Sequence, residues 1–513
     1  MTIDLVRLGV RPKAAGLLVP IRMREVGGAI LLTNPWGDWV LVSSDELAQL
    51  AKGELEQGTE LWRRLEERSF LRDRVDEGKL AERVARKKEF TRAGPNLHIV
   101  IPTLRCNQTC VYCHASRADM SATDTDMSSQ TASGVVDFIF QSTAPRLTIE
   151  FQGGEPLANF AIVKQVVAGA IAANASGGKT LEFTLVSNLS LMDDEKLAWL
   201  IDHKVQICTS LDGPAALHDK QRKLAGGSAH ERTVHWIRRI NAEYAKLGLD
   251  PLLYHVEALL TTTREALAQP REIVDAYVEL GCRAIFLRPV DPFGFAAQTA
   301  ASIEYDRKAW LEFYRTAVDH ILELNRGGTQ VLERWAAIFL TKILADHEPN
   351  YLDLRSPCGA GIGQLAYNYD GRIFTCDEGR MVHQMGDSFF EVGKVGETRY
   401  RQAVMSETVQ AMALASNLDA QPDCVSCAYQ PYCGVCPVHN YATQGSLFGR
   451  LRESCADFVR TDLNDTGLRP SIETTVHALM PQRVVVHVHC VNTIAWAIRA
   501  DGEQRLAEKL DGF

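Results

Sequence analysis

The sequence has 513 residues, too many for one hydrophobic core, so we expect several domains of about 100 to 200 residues each. A hydrophobic fraction of 46% with 23% charged residues is typical of a globular protein, and a net charge of -9 gives no broad basic surface for bulk nucleic acid. No stretch approaches the roughly 18 consecutive apolar residues of a membrane helix, and MTIDLVRLGVRPK lacks the apolar core of a signal peptide. We therefore expect a cytoplasmic protein with no membrane or nucleic-acid partner.

The first predicted element is a β-hairpin in GAILLTNPWGDWVLVS, where two β-rich runs are joined by NPWGD. The next segment opens with SSDE, a typical capping box, and continues with helical periodicity. These elements predict a small α+β module, separately folded, over residues 1–92. Its basic connector ERVARKKEF indicates a solvated helix or linker and not a nucleic-acid site.

From residue 96 onwards, short apolar strands alternate with amphipathic helices. The six predicted strands cover residues 96–104, 147–154, 181–188, 205–213, 255–263 and 284–291. Strands joined by helical crossovers are parallel, so the pattern predicts an α/β fold with a partial, TIM-like (β/α)6 barrel over residues 93–330. Functional residues of such sheets lie at the carboxyl ends of the strands.

The remainder of the chain reads as two further segments. Residues 331–460 are rich in cysteine and turn residues, where bound metal would replace a hydrophobic core. Residues 461–513 predict a strand and a helix. His487 and His489 alternate on one face of that strand, and with no third ligand at a suitable spacing we interpret them as surface or packing residues.

Thirteen cysteines are a high count for a cytosolic chain, in which disulfides are rare. Ten of them fall into spaced groups that indicate metal ligation: Cys106, Cys110, Cys113, Cys358, Cys376, Cys424, Cys427, Cys433, Cys436 and Cys455. The other three lie in apolar contexts and are predicted to be small buried hydrophobic residues: Cys208, Cys282 and Cys490.

The segment CNQTCVYC places three thiols in one loop after the first barrel strand. A structural zinc site needs four protein ligands, and His114 is poorly placed to be the fourth. Neither ferredoxin spacing matches the triplet. The second strand ends in FQGGEP, whose glycines permit close approach of the backbone to a ligand and whose carboxylate can accept from an amine.

The spacing C-x₃-C-x₂-C with Tyr112 before the last cysteine, followed one strand later by GGEP, resembles the radical S-adenosylmethionine (SAM) superfamily. The resemblance implies a [4Fe-4S] cluster held by Cys106, Cys110 and Cys113, with its fourth iron left for SAM. It also implies that an electron from the cluster cleaves SAM to methionine and a 5′-deoxyadenosyl radical, which takes hydrogen from an unactivated C–H bond.

Further site residues follow from the same resemblance. The amino group of SAM would be held by Gly153, Gly154, Glu155 and Pro156. The segment SLDGPAALHDKQR resembles peptide-modifying members of the superfamily. That likeness places Ser187 and Ser210 near the ribose or methionine carboxylate, with Arg222 as a carboxylate partner, while a helix-capping role for each serine stays open.

The later cysteines resemble the SPASM domain, which adds auxiliary iron-sulfur clusters to radical SAM peptide maturases. A zinc ribbon is the alternative, but CVSCAYQPYCGVC has a much shorter central gap than zinc ribbons have. The resemblance assigns one auxiliary cluster, expected as [4Fe-4S], to Cys424, Cys427, Cys433 and Cys455. It assigns the other to Cys358, Cys376 and Cys436, whose fourth position is either an open iron or an unrecognised protein ligand. The two-residue gap between Cys433 and Cys436 is shorter than the family's usual three.

Asp377 directly follows Cys376, as an aspartate does in sulfatase-maturing relatives, where it serves as general base. A turn role in TCDEGR is the alternative.

Over roughly residues 20–460 the chain resembles the B-type radical SAM maturase of the His-Xaa-Ser system, for example in IFLRPVDPFGFA and YQPYCGVCPVHNYATQG. This implies a precursor peptide with His-Xaa-Ser repeats, a second radical SAM enzyme, a reductant such as flavodoxin or ferredoxin, and leader-peptide recognition by strand addition to the N-terminal hairpin.

Three functions stay open at this point. The first is a maturase that makes a two-electron oxidative change in a precursor peptide. The second is a formylglycine-forming sulfatase maturase, which acts on a Cys or Ser of an enzyme. The third is an electron-transfer protein, which is disfavoured because GGEP and the three-thiol site would then have no task.

Overall fold

The computed structural model describes residues 17–250, 254–349 and 354–448, which all belong to one compact unit. The predicted extension over residues 461–513, with its two histidines, lies outside the described residues. So do Cys455 and Cys490.

The N-terminal part contains a three-stranded antiparallel sheet in the order β1 (Arg22–Val26), β2 (Ala29–Thr33) and β3 (Trp39–Val42). The predicted hairpin is confirmed, because β2 and β3 pair across the NPWGD loop. Three helices follow, α1 (Ser44–Lys52), α2 (Glu60–Glu67) and α3 (Glu77–Lys87). Ser43 and Glu46 form the predicted capping box of α1.

This part has a hydrophobic cluster of its own, in which Leu32 and Leu65 are fully buried. Helix α3 carries most of the basic connector and has no buried residue, as predicted for a solvated helix. The amphipathic strands and helices therefore bury one small core between them.

Twelve more strands follow β3 in the described residues. In chain order they are β4 (Leu97–Val100), β5 (Gln108–Cys110), β6 (Arg146–Phe151), β7 (Thr180–Ser187), β8 (Val205–Ser210), β9 (Arg222–Leu224), β10 (Glu257–Thr262), β11 (Ala284–Pro289), β12 (Leu332–Glu333), β13 (Gln364–Tyr367), β14 (Arg372–Phe374) and β15 (Glu391–Lys394).

Ten of these strands form one sheet in the order β12-β11-β10-β8-β7-β6-β4-β13-β14-β15. All six predicted strands are present and pair in parallel in chain order, as the alternation of strands and helices predicted. The short strand β12 adds a further parallel strand beside β11.

The sheet also recruits three strands from the cysteine-rich segment, which sequence reasoning missed. Strand β13 pairs in parallel with β4, with Gln364 opposite Leu97, and β14 and β15 continue antiparallel. Without β13, strand β4 would present an unpaired edge. The cysteine-rich segment is thus continuous with the large sheet through backbone hydrogen bonds.

Fourteen further α-helices lie between and after these strands in the described residues. In chain order they are α4 (Ser129–Ile139), α5 (Phe160–Ala173), α6 (Asp194–Asp202), α7 (Ala215–Gln221), α8 (Ala229–Lys246), α9 (Pro270–Glu279), α10 (Phe295–Ile303), α11 (Arg307–Arg326), α12 (Arg334–Leu344), α13 (Asp377–Gln384), α14 (Tyr400–Val404), α15 (Glu407–Ser416), α16 (Pro422–Val425) and α17 (Pro437–Gln444).

One helical stretch, Pro156–Ser176, is long and apolar enough to cross a membrane by length and composition. This differs from the expectation from sequence, which counted uninterrupted apolar runs. Its helix α5 places Val163, Val166 and Val167 fully buried in the main hydrophobic cluster beneath the sheet. A core helix passes the same composition test, so the stretch is weak evidence for a membrane span.

Candidate active site

A cavity of about 380 Å³ opens at the carboxyl ends of the parallel strands. It is lined by the three thiols of the loop after β4, by the glycine pair after β6, and by the last residues of β7 and β8. The cavity thus brings together Cys106, Cys110, Cys113, Tyr112, Gly153, Gly154, Ser187, Ser210, Arg222 and Asp377. Glu155 and Pro156 are buried and are not among the residues that line this cavity.

Nitrogen donors point at two of the three thiols. The Gln108 backbone N–H and Asn188 Nδ2 lie 3.5 and 3.6 Å from Cys106 Sγ. Arg222 Nη1 lies 3.7 Å from Cys110 Sγ, because β5 and β9 pair with Cys110 opposite Arg222. Such donors stabilise an anionic sulfur, so the triplet suits thiolate ligands.

Burial works against ionisation of the same thiols. It raises the pKa of Cys106 well above its usual value and raises the pKa of Cys110 to about 12, although Arg222 lowers the latter. A thiol of this kind ionises when a metal supplies compensating positive charge. The donor set therefore fits a cluster better than it fits free thiols.

A single metal ion is a poorer fit. No group of three His, Cys, Asp or Glu side chains within residues 17–250, 254–349 and 354–448 is arranged around one ion. A cluster of several irons holds its thiolates further apart than a single ion does. This result therefore argues against the zinc alternative and does not test an iron-sulfur cluster.

The glycine pair lies directly against the cysteine loop. A Cβ atom on Gly154 would stand 2.2 Å from Leu104 O and 2.4 Å from Arg105 O, and Gly153 adopts a φ of +127°. Any side chain at Gly154 would therefore collide with backbone. We expected these glycines to permit close approach to a ligand; the close approach is to the backbone that presents the thiols.

Glu155 joins two loops at the edge of the cavity. Its carboxylate accepts from Ser187 Oγ at 2.8 Å, from the Asn188 N–H at 2.8 Å and from the Leu157 N–H at 3.0 Å. Burial raises the pKa of Glu155 to about 7, against the lowering effect of these hydrogen bonds. The contacts hold the ends of β6 and β7 together beside Cys106.

A buried network surrounds the aromatic residue of the cysteine motif. Tyr112 Oη donates to the carboxylate of Asp212, at 2.6 Å from each oxygen. Arg222 Nε donates to the same carboxylate at 3.1 Å, and its guanidinium lies 5.2 Å above the Tyr112 ring. The carboxylate that Arg222 contacts within the protein is therefore Asp212, which we did not single out from the sequence.

Asp377 is the first residue of α13, with Cys376 as the N-cap, so it begins a helix rather than a turn. Its side chain is buried, and Arg380 Nε donates to Oδ1 at 2.7 Å. Asp377 also lines the cavity that the three thiols share.

Four charged residues that were missed from the sequence also line the cavity: Glu150 of β6, Glu257 of β10, Arg288 of β11 and Arg334 at the start of α12. Arg334 Nη1 donates to Glu257 Oε2 at 2.6 Å. The available signal was a charged residue inside an otherwise apolar strand, as in LTIEF and AIFLRP. Cys208 is buried as predicted, but it faces this cavity and lies 3.8 Å from Glu257 Oε2.

Comparison with known proteins identifies the region around the thiol loop. Residues 100–255 match the family model of the Radical SAM superfamily. The chain contains a radical SAM domain. Such a domain implies SAM and a [4Fe-4S] cluster as cofactors.

The radical SAM domain and its flanks have relatives of known name. The serine-type anaerobic sulfatase-maturating enzyme of Klebsiella aerogenes is 25% identical over 362 residues, which cover 67% of this chain and 80% of that protein. The fold resembles native anSMEcpe with bound AdoMet, with a TM-score of 0.56 at 16% identity, covering 71% of this chain and 97% of that chain. It also resembles Streptococcus suis SuiB bound to precursor peptide SuiA, with a TM-score of 0.50 at 13% identity, covering 83% and 96%.

Beyond the radical SAM domain, the later cysteines form two groups. Cys358 and Cys376 are buried in one small hydrophobic cluster, against which Cys436 packs. Cys424, Cys427 and Cys433 share the loop that starts with α16. None of the cysteines in the described ranges forms a disulfide.

Proposed function

We propose that this protein is a radical SAM peptide maturase that abstracts hydrogen from a ribosomally made precursor peptide and oxidises it, in a system of the His-Xaa-Ser type. The observation that carries the proposal is the cavity onto which the thiol triplet, Arg222 and Asp377 all open. A cofactor held at the thiols and a substrate within reach of Asp377 would share that space.

The residues fit the cofactors that the radical SAM domain implies. Cys106, Cys110 and Cys113 would hold the SAM-binding cluster, and the two later groups of cysteines would hold auxiliary clusters. When bound, these groups supply a carbon radical that removes hydrogen from an unactivated C–H bond and an acceptor for one electron. The chain supplies orientation: Arg222, whose Nε donates to Asp212, would use its other donors to pair with the SAM carboxylate, and Ser187 and Ser210 would lie near the ribose or the methionine carboxylate.

Asp377 is our candidate for the proton-accepting step. A two-electron oxidation removes two hydrogens from the peptide, one as a hydrogen atom and the other as a proton accompanied by an electron. The Asp377 carboxylate lies at the cavity wall, and Arg380 holds one of its oxygens at 2.7 Å. An oriented carboxylate within reach of substrate is suited to general base catalysis.

The N-terminal sheet offers an edge for the peptide's leader. Strand β3 is the edge of its sheet, and a cavity of about 510 Å³ lies between β3 and α2, lined in part by Trp39, Leu41, Arg64 and Arg68. Arg64 donates to the Leu41 carbonyl on that edge. A peptide that adds as a fourth strand would donate its own backbone N–H to edge carbonyls such as that of Leu41, in place of Arg64. Its side chains would pack against Trp39 and Leu41.

A second candidate, formylglycine formation in a sulfatase, is favoured by the similarity to the Klebsiella enzyme and by the aspartate after Cys376. Both candidates need an electron acceptor and a base. They differ in the substrate and in the product, because formylglycine carries an aldehyde.

The deciding experiment combines the anaerobically reconstituted protein with SAM, a reductant and the peptide encoded beside its gene. We expect 5′-deoxyadenosine and a peptide that has lost two hydrogens and does not react with a hydrazide probe. A hydrazide-reactive product from a sulfatase-derived peptide, with the precursor unchanged, would support the second candidate. No 5′-deoxyadenosine with either peptide would point to electron transfer without substrate chemistry.

A further inference from the structure

The N-terminal sheet docks onto the loop that carries Cys424, Cys427 and Cys433. Arg22 Nε donates to Val425 O at 2.7 Å, and Thr33 Oγ1 donates to Ala428 O at 2.8 Å. From the other side, Tyr432 Oη donates to Gly37 O at 2.9 Å. These contacts join residues about 400 positions apart and act on the residues between and beside the three cysteines.

Arg22 stands out among these residues because its guanidinium is buried with an unused donor. Only 10% of its side chain is exposed, Nε is used by Val425 O, and Nη1 is buried without a hydrogen-bond partner in the part of the chain that is described. Nη2 lies 4.0 Å from Asp419 Oδ1, beyond hydrogen-bond distance, and 61% of that aspartate's side chain is exposed. A buried donor of this kind indicates an acceptor that belongs at the site.

The neighbours of Arg22 indicate the chemistry of that acceptor. Burial lowers the pKa of Arg22, and the Asp419 carboxylate opposes that change. Val425, to which Arg22 donates, lies between Cys424 and Cys427 in the chain, so the guanidinium is held beside the segment that carries two predicted cluster ligands. An anionic iron-sulfur cluster with thiolate ligands would provide both an acceptor and a counter-charge.

We infer that Arg22 is a positioning residue for the auxiliary cluster at Cys424, Cys427 and Cys433, donating through Nη1 to that cluster or its thiolates and raising its reduction potential. The inference rests on the proposed function, which assigns a cluster to these cysteines. A reduced cluster carries one more negative charge than an oxidised one, so a nearby fixed cation favours reduction. The N-terminal module would then serve the redox site as well as the peptide.

The test is a redox titration, followed by electron paramagnetic resonance, of reconstituted Arg22→Gln and Arg22→Lys proteins. Replacing Cys106, Cys110 and Cys113 by Ala in all samples removes the signal of the SAM-binding cluster. We expect a more negative midpoint potential for one auxiliary cluster in Arg22→Gln and a value near the parent in Arg22→Lys. The control is Arg63→Gln, an exposed arginine of α2 that pairs with Glu60 and should leave both auxiliary potentials unchanged.

Asp419→Asn is a second variant, for which we expect the midpoint potential to shift in the opposite direction. It tests the inference even if Arg22→Gln fails to bind the cluster. Removing the counter-charge of Arg22 should make the same potential less negative. Unchanged potentials in Arg22→Gln and Asp419→Asn, at full iron content, would overturn the inference while leaving the proposed function intact. Parent protein with no auxiliary cluster would overturn the inference together with that part of the proposed function.

Discussion

Cys376 and Asp377 are neighbours in the chain, yet they lie against two different parts of the structure. Cys376 is buried with Cys358 in a small hydrophobic cluster against which Cys436 packs, whereas Asp377 lines the cavity of the thiol triplet. The first turn of α13 therefore connects a predicted auxiliary cluster to the space where a substrate would react. This one turn would then provide both the proton acceptor, Asp377, and a ligand of the predicted electron acceptor, Cys376.

Asp377→Asn tests that arrangement. The amide is nearly isosteric and cannot accept a proton, so we expect peptide modification to fall by about 10²- to 10⁴-fold, the usual contribution of a general base. Formation of 5′-deoxyadenosine should continue, because the cysteine triplet is untouched. The measurement is the ratio of modified peptide to 5′-deoxyadenosine, with exposed Asp137→Asn as control. An unchanged ratio in Asp377→Asn would remove Asp377 from the mechanism.

The edge of β3 gives a prediction about binding. Leu41 lines the groove and its side chain is 44% exposed, so Leu41→Lys should preserve the fold while placing a charge where we expect the leader peptide. We expect at least a tenfold weaker affinity for a fluorescent precursor peptide, equivalent to about 1.4 kcal/mol. Val84→Lys, on the solvated face of α3 and 40% exposed, is the matched control. Equal affinities for the two variants would contradict leader binding at this edge.

Gly154→Ala should disrupt the thiol site without altering any thiol. Its Cβ would lie 2.2 Å from Leu104 O, so the cysteine loop or the end of β6 must move. We expect the reconstituted protein to lose roughly four irons, one [4Fe-4S] cluster, and to lose SAM cleavage. Gly227→Ala is the control, because a Cβ at Gly227 meets no atom within 4 Å and its φ is not in the left-handed region. Full iron content in Gly154→Ala would show that the close approach is dispensable.

The sequence was most informative where the signal is local. Alternating strands and helices located all six parallel strands, and the SSDE segment located the cap at Ser43. The spacing of the cysteines found the triplet because its three ligands lie in one loop. Contacts between distant segments were not predictable in this way: the pairing of β13 with β4 depends on a four-residue run, and Asp212 meets Tyr112 across 100 residues. Charges inside strands were visible in the sequence, but only the fold turns them toward one cavity.

Because Glu155 is buried, we expect the stability of the cluster-free protein to fall as the pH rises. The pKa of Glu155 is about 7 in the folded chain, above the value of about 4.3 for an unfolded glutamate, so folding favours the protonated form. Protonated Glu155 makes its full contribution to the free energy of unfolding below about pH 4.3, and this contribution is lost as the pH rises through about 7. It amounts to about 1.4 kcal/mol for each unit by which the folded and unfolded pKa values differ. Thermal unfolding of the cluster-free proteins measures the effect. As the pH rises over this range, we expect the Tm of the wild type to fall relative to the Tm of Glu155→Gln. Parallel curves would contradict the raised pKa.

The Tyr112, Asp212 and Arg222 network predicts two unequal losses of stability. Asp212→Asn leaves the buried Arg222 guanidinium without its carboxylate, which we expect to cost about 3–5 kcal/mol. Tyr112→Phe removes one hydrogen bond to a carboxylate that keeps Arg222, so its cost should be about 1–3 kcal/mol. Denaturant unfolding of the cluster-free proteins measures both, and the double variant should cost less than the sum because the two residues share one network. A larger loss for Tyr112→Phe than for Asp212→Asn would mean that the hydroxyl, and not the ion pair, holds Arg222 against the thiol loop.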